Sequence, residues 1–273
     1  MNGLAWFRVT ALARKDAFEL VRNPGAIIPP VLMVMVSLFP AFLVIVLTPR
    51  LIGRTLEQGG EFTEQAINAA ASIPELGGLS GNALVQAFLF HQFSVLLLLV
   101  PIVGAMALAT HAVIGEKQAK SLEPILATPI STMELLVAKT LTPFLFALAL
   151  SWLAALLYLA GASVFGEPGV LRAVLGVRLF LMFVVLGPLL ELASLQLSVI
   201  VSSRANDPRS AQQVTALLVL PVTAVFIAQL MGIFVLTMPA MLTAALICAV
   251  GNAALLWVGV RVFERESILT RWR

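Results

Sequence analysis

Long apolar runs alternate with short polar segments along the whole chain. Each run is long enough to cross about 30 Å of hydrocarbon as an α-helix, which takes about 20 residues. We predict six membrane-spanning helices, at residues 26–48, 88–110, 135–162, 173–201, 214–236 and 239–262. Only Thr237 and Met238, followed by Pro239, separate the last two runs. These two therefore form either a tight hairpin or a pair in which one segment is re-entrant.

The composition excludes a soluble protein. Of the 273 residues, 60% are hydrophobic and 11% are charged, and the mean hydropathy is +1.02. A soluble domain carries about 25% charged residues to cover its surface. We therefore expect an all-α, polytopic membrane protein. Because no repeat, low-complexity tract or linker divides the chain, residues 1–273 are interpreted as a single transmembrane domain.

The amino end is amphipathic. Residues 1–25 carry six charges and lack a continuous apolar core, so the segment does not read as a cleavable signal peptide. Wound as a helix over 4–22, it places its polar residues on one side: Arg8, Lys15, Asp16, Glu19 and Arg22. The apolar side holds Trp6, Phe7, Val9, Ala13, Ala17, Phe18, Leu20 and Val21. Such a helix lies in the plane of the lipid headgroups; the alternative is a helix that packs against a soluble partner.

Two polar segments stand out between the runs. Residues 49–87 form the largest non-membrane segment; we expect it to be an external loop with one or two short helices. Residues 115–131 are too polar for hydrocarbon, yet Leu122, Ile125, Leu126 and Ile130 recur at helical spacing. This second segment predicts a short helix outside the bilayer, with an ordinary solvated loop as the alternative.

The basic residues predict the orientation, because Lys and Arg near span ends stay on the cytoplasmic side. Three lie on the other side, Arg50, Arg54 and Arg172, and Arg178 lies within the fourth run. The remaining 13 of the 17 fall on one side: Arg8, Arg14, Lys15, Arg22, Lys117, Lys120, Lys139, Arg204, Arg209, Arg261, Arg265, Arg271 and Arg273. Both termini are therefore predicted to be cytoplasmic. The net charge of +3 reflects this topology and an attraction to anionic membrane lipids, and it does not indicate nucleic-acid binding.

The sequence carries no catalytic signature. It lacks the Walker A pattern, HExxH, GxSxG and paired cysteines, so we expect no catalytic residue, no metal site and no cofactor in this chain. His91 and His111 are too far apart on one helix to share a metal. His111 with Glu116 remains open as an acid–base pair, against an ordinary histidine at headgroup level. The lone Cys248 is read as a packed thiol.

Four polar residues within the predicted spans are candidates for a translocation path: Glu191, Gln196, Gln229 and Asn252. Glu191 lies near the bilayer centre, where an acidic side chain costs about 2.5–3.5 kcal/mol. It is either a neutral or hydrogen-bonded residue that bridges spans, through Gln229 or Asn252, or a polar element of the path. Gly187-Pro188, one turn earlier, is expected to loosen the helix.

A recognisable motif is formed by Gly115-Glu116-Lys117, by the run from Ser121 to Ser131 (SLEPILATPIS), and by Glu134 and Lys139. On these residues the chain resembles the membrane subunit, or permease, of a type-2 ATP-binding-cassette (ABC) exporter. Gln118 and Lys120-Ser121 depart from the family pattern at the entry turn. A second patch is similar to bacterial sodium-exporter-like permeases: Ser202-Ser203-Arg204, Ala211-Gln212-Gln213 and Pro221.

The resemblance implies a mechanism. Two permease subunits, identical or paralogous, would pair in the inner (cytoplasmic) membrane, and each would engage a cytosolic ABC ATPase that binds ATP and Mg. The contact would be a coupling helix at 116–128, and the amino-terminal helix would be the family's elbow helix. The implied coupling residues are Glu116, Lys117, Lys120, Leu122, Glu123, Ile125 and Leu126.

The cargo stays open. A cavity with few charges suits lipids, hydrophobic drugs or lipid-linked glycans, whereas ion export needs intramembrane polar ligands. A different class of function also stays open: an ATP-independent membrane protein, either a secondary transporter or an assembly scaffold, in which 115–131 is only a loop. No inverted repeat favours the transporter version.

Overall fold

The computed structural model describes residues 6–60, 62–118, 132–204 and 207–262, and these residues are almost entirely helical. Six helices are long and apolar enough to cross a membrane, which confirms the predicted all-α polytopic fold. We number them in chain order as spans one to six: Pro24–Ile52, Gly81–Ala112, Thr140–Phe165, Val177–Ser202, Arg209–Leu230 and Met238–Gly259. Consecutive spans run in opposite directions. The end of the bundle that holds the start of span one is called the amino-terminal end.

Span two is the central helix. In its most apolar stretch 94% of the residues are buried, against 12% for span five and 11% for span six. A helix that is apolar on every side has no face to offer to water and is buried by its neighbours. Spans one, three and four pack along it, and Phe90, Ile102 and Leu108 are fully buried in the contacts.

An aromatic cluster joins spans one, two and three near the opposite end. The Phe42 ring lies 6.3 Å from Phe90, 6.0 Å from Tyr158 and 6.3 Å from Phe165, measured between ring centroids. The Tyr158 hydroxyl donates a 2.6 Å hydrogen bond to the Phe90 carbonyl oxygen. Gly161 allows the close approach, since it lies directly against the edge of the Phe42 ring.

Four spans contain one turn that is not α-helical, and each of these turns lies just before a proline. Span one has a π turn at Leu43–Leu47 before Pro49, and span four has one at Met182–Leu186 before Pro188. Spans two and five have 3₁₀ turns at Val95–Leu98 and Ala216–Leu218, before Pro101 and Pro221. A proline lacks the N–H for the fourth preceding carbonyl and clashes with it. In every case that carbonyl belongs to the irregular turn, so the turn has widened or tightened around the proline, as expected at Gly187-Pro188.

Several boundaries differ from the predicted ones. The helix of span two begins at Gly81, not residue 88, and continues through Glu116 and Lys117 to Gln118. Gly115 thus does not end the helix, because a glycine keeps its backbone N–H and only weakens a helix. The first part of the predicted surface helix at 116–128 is therefore an extension of span two, and residues 119–131 lie outside the described residues.

The connections at the opposite end are more structured than predicted. The loop between spans one and two covers 53–80, not 49–87, and holds three short helices: Leu56–Gly59, Thr63–Ala70 and Pro74–Leu76. Before span four a separate helix, Val170–Val174, ends at Leu175 and Gly176. Spans five and six are joined by residues 231–237, so the predicted junction of two residues was wrong. Span five had been placed too late, since its helix already begins at Pro208.

The helix at the amino end runs over Trp6–Val21 and packs against the start of span three. The Thr142 hydroxyl donates a 2.8 Å hydrogen bond to the Ala13 carbonyl oxygen. Asp16, predicted on the outward polar side, is only 3% exposed, whereas Phe7 is 85% exposed. The predicted division of faces is thus wrong at Asp16, which is buried in the bundle.

Candidate functional site: polar groups inside the bundle

Glu191 lies in the middle of span four, about 16 Å along the helix axis from Ser202 at about 1.5 Å per residue. The side chain is completely buried, and neither carboxyl oxygen has a hydrogen-bond partner. The Leu148 backbone of span three approaches the carboxyl group, but without the geometry of a good hydrogen bond. The predicted bridge through Gln229 or Asn252 is not formed: neither Glu191 oxygen has a partner, the Asn252 side chain bonds elsewhere, and the Gln229 side-chain nitrogen is without a partner.

Gln196 and Asn252 join span four to span six. The Gln196 Nε2 donates to the Asn252 Oδ1 at 3.2 Å, and the Asn252 Nδ2 donates to the backbone oxygens of Leu189 and Cys248, each at 2.8 Å. The Gln196 Oε1 is buried and has no partner. This pair is the one contact that the structure makes among the four predicted path residues. The pair links spans four and six and leaves the Gln196 Oε1 as a buried acceptor without a donor.

Gln229 lies at the far end of span five, away from Glu191 along the bundle axis. Its carbonyl oxygen accepts a 3.4 Å hydrogen bond from the Gln92 Nε2 of span two. The side chain is 2% exposed, and its Nε2 has no partner. The polar candidates are thus spread along the bundle and do not converge on one point.

A buried charged cluster at the opposite end was not predicted. Arg178 is 5% exposed and donates to the Leu236 carbonyl oxygen, while Glu75 of the 53–80 loop lies close enough to act on its charge. Glu75 packs on Gly176, where an added Cβ would lie 2.9 Å from the Glu75 Cγ. The His91 Nε2 shares a 3.1 Å hydrogen bond with the Ala173 oxygen nearby. The only signal in the sequence was Arg178 itself, a basic residue well inside the fourth run; nothing paired it with Glu75.

A line of hydroxyl groups was also missed. Ser194, Ser198 and Ser202 lie on the same face of span four as Glu191, and all three are completely buried. The Ser194 Oγ donates a 2.7 Å hydrogen bond to the Ile102 oxygen of span two, whereas the hydroxyls of Ser198 and Ser202 have no partner. The spacing of three to four residues is visible in the sequence and is the signal that identifies this face.

Two of the predicted coupling residues fall at the amino-terminal end. Glu116 and Lys117 occupy the last turn of the span two helix, and their side chains are not described. The other five lie outside the described residues: Lys120, Leu122, Glu123, Ile125 and Leu126. At the same end of the bundle, Asp207 caps the helix of span five. The Ser210 hydroxyl and N–H both donate to the Asp207 carboxylate, at 2.7 and 2.9 Å, and these bonds hold the pKa of Asp207 below its usual value.

The fold defines a multi-pass α-helical membrane protein with hydrogen-bonding groups inside its bundle, the class to which transporters belong. The chain is a member of the ABC-2 transporter family: the model described as "ABC-2 family transporter protein" matches residues 10–245. It is therefore the permease type of subunit, the membrane part of an ABC transporter. A comparison with curated proteins finds no match.

Proposed function

We propose that this permease is the membrane subunit of an ABC exporter, driven by a separate cytosolic ATPase. ATP and Mg bind to that partner chain, and this chain carries no catalytic residue. Membership of the ABC-2 family supports the need for an ATPase partner. The narrower assignment to the sodium-exporter-like branch rests on the sequence resemblance, and ATP-dependent sodium efflux from vesicles tests it.

The observation that carries the mechanism is the position of span two. The helix of span two continues to Gln118, the third residue of the segment proposed as the coupling helix, 116–128, and span two is also the most buried span. A displacement of span two at the amino-terminal end of the bundle therefore acts on spans one, three and four at once, since a packed helix moves as a rigid body. Leu122, Ile125 and Leu126 would seat in a groove of the ATPase, and Glu116, Lys117, Lys120 and Glu123 would set the polar register at its rim.

The proposed orientation places the amino-terminal end of the bundle on the cytoplasmic side of the cell's inner membrane. The excess of Lys and Arg predicted for that side supports it. The amino-terminal helix fits the headgroup plane, because Trp6, Phe7 and Phe18 are exposed on it and the Arg22 guanidinium lies 3.9 Å from the centre of the Phe18 ring. A second permease subunit, identical or paralogous, is proposed to cover part of the apolar surface of the spans.

The polar side chains inside the bundle are proposed as elements of the translocation path. Gln196 and Asn252 together offer one unpartnered acceptor between spans four and six, and Gln229 offers one unpartnered donor near the opposite end. Glu191 is the buried acid between them along the axis. Cargo that forms hydrogen bonds would meet these groups in turn if the spans separate during transport.

The test of coupling is a double substitution, Leu122→Asp with Leu126→Asp. We expect the variant to insert in the membrane normally, because the change lies outside the spans, but to lose co-purification of the ATPase and substrate-stimulated ATP hydrolysis. The matched control is Ile67→Asp, which adds a charge at an exposed apolar residue on the opposite end and should leave both signals unchanged. Retention of the ATPase by the double variant would refute 116–128 as the contact.

A further inference from the structure

The buried side of span four, where it packs on spans two and three, and the adjoining part of span two hold an unusual set of polar groups. The two carboxyl oxygens of Glu191 and the hydroxyl oxygens of Ser198, Ser202 and Thr110 are all inaccessible and all lack a hydrogen-bond partner. All four residues, including Thr110 of span two, are 0% exposed. A polar group buried in a membrane without a partner is costly. Such groups are expected to bind something that the helices themselves do not supply.

The register of the two helices places these groups in one line. Spans two and four run in the same direction, and the bond from the Ser194 Oγ to the Ile102 oxygen fixes their alignment. Eight residues further along each helix, Thr110 and Ser202 lie at the same level. Glu191, Ser198 and Ser202 share one face of span four, at intervals of seven and four residues. The line therefore leads from Glu191 in the middle of the membrane to the amino-terminal end of the bundle.

The protonation state of Glu191 follows from its surroundings. An ionised carboxylate needs hydrogen bonds or an opposite charge when it is buried, and the described side chains offer it neither. Among the side chains that the structure describes, the titratable or charged ones on span four and on the helices packed against it are Arg178, His91, His111, Tyr158, Cys248, Arg209 and Arg261. None of these forms a hydrogen bond with the Glu191 carboxyl group. Glu191 is stable there as the neutral acid, and so it carries a proton.

The spacing of the hydroxyls suits a path for that proton. Residues four apart on a helix are about 6 Å apart along its axis at about 1.5 Å per residue. That is about twice an O–H···O distance of about 2.8 Å. The hydroxyls of Ser198 and Ser202 are therefore too far apart to bond to each other, but one water molecule between them would satisfy both. Glu191 and Ser198 are seven residues apart, about 10 Å along the axis, so more than one water molecule is needed between them. Thr110, at the level of Ser202, would give such a water a third polar partner, and three is the usual number for a buried water.

We propose that the buried side of span four, against spans two and three, is a proton-binding site, in which Glu191 holds an exchangeable proton and the hydroxyls of Ser198, Ser202 and Thr110 connect it to the amino-terminal end. A hydronium ion delivered along the line gives its proton to the carboxylate, which yields the neutral acid and one water. Release is the reverse step. The proposal does not depend on the ATPase partner or on the direction of transport.

Infrared spectroscopy of the purified chain in lipid nanodiscs tests the proposal directly. The wild type should show the C=O stretch of a protonated carboxylic acid, and that band should be lost in Glu191→Gln. If Glu191→Gln does not fold, Glu191→Asp serves instead, because it should shift the band without removing it. If the spectra of Glu191→Gln and Glu191→Asp show no change in this band relative to the wild type, Glu191 is ionised and the proposal is overturned.

Transfer to D₂O then tests the path. The band should shift as deuterium replaces the proton, and the triple variant Ser198→Ala, Ser202→Ala, Thr110→Val should slow this exchange by about tenfold or more, as expected when a relay of hydrogen bonds is removed. The matched control is Ser37→Ala, which removes an equally buried and unpartnered hydroxyl from span one. It should leave the exchange rate unchanged. Equal rates in the triple variant and the wild type would refute the hydroxyl line, and so would slowing by Ser37→Ala to the same extent.

Discussion

Gly161 of span three lies so close to Phe42 of span one that an alanine at this position tests how firmly the two helices are packed. A Cβ at Gly161 would lie 2.1 Å from the Phe42 Cζ and 2.2 Å from its Cε1. Carbon atoms in contact are about 3.5–4.0 Å apart. The Phe42 ring must therefore move in Gly161→Ala, or the helices must separate.

The cost of that movement can be worked from the contacts of the ring. Overpacking of a well-packed core costs about 1–3 kcal/mol. A displaced Phe42 also loses part of its contacts with Phe90, Tyr158 and Phe165, and each aromatic pair is worth about 0.5–1.5 kcal/mol beyond its buried area. In the opposite direction, alanine is favoured over glycine inside a helix by about 1 kcal/mol. We expect Gly161→Ala to lower the free energy of unfolding by about 1–3 kcal/mol in total.

Equilibrium unfolding in mixed micelles measures this change. The matched control is Gly251→Ala in span six, where nothing lies within 4 Å of the added Cβ. Only the helix preference acts there, so the control should be neutral or more stable by up to about 1 kcal/mol. The second test is rescue: Phe42→Leu removes the clashing ring edge, so the double variant should be less destabilised than the two single changes added together. Wild-type stability in Gly161→Ala would refute the close packing of spans one and three.

Three further predictions follow from other parts of the bundle. Tyr158→Phe should lower the free energy of unfolding in the same assay by about 1 kcal/mol, because it removes one buried hydrogen bond; an unchanged midpoint would contradict the 2.6 Å bond. In a variant with Cys248 replaced by alanine, single cysteines at Arg209 and Ser72 should react with an impermeant maleimide from opposite sides of the membrane, and labelling from the same side would contradict six spans. Asp207→Ala should speed backbone amide exchange at the start of span five. Because the pKa of Asp207 is lowered by its cap bonds, the charged cap is complete above about pH 4 and its contribution is lost as the pH falls through the lowered pKa, so the effect of Asp207→Ala should vanish in acid.

The six spans could be predicted from the sequence because hydrocarbon admits only helices whose backbone is satisfied internally, which makes apolar length a strong signal. The ends of the spans could not. Asn82 and Gln86 look too polar for a membrane helix, yet both lie in the first turns of span two and bond to backbone groups of its neighbours: the Asn82 Oδ1 accepts from the Leu56 N–H, and the Gln86 Oε1 from the Glu167 N–H. Hydropathy counts such residues as solvated and places the boundary too late.

The polar residues of the candidate site could be named, but their partners could not. The depth of Glu191 follows from counting along span four, whereas its neighbours depend on how each helix is rotated and shifted against the others. Those two quantities are set by packing details, such as the Ser194 bond to span two and the Gln196 pair with Asn252. The Arg178 and Glu75 cluster was missed for the same reason, since more than 100 residues separate the two in the chain.

Purification of the chain from its native membranes in a mild detergent tests the central claim most directly. The chain should bring with it an ABC ATPase in a fixed ratio, identified by mass spectrometry, and the complex should hydrolyse ATP and move its cargo across a vesicle membrane only when ATP and Mg are present. A chain that purifies without an ATPase, and that still moves cargo in vesicles free of ATP, would contradict the account and identify an ATP-independent membrane protein.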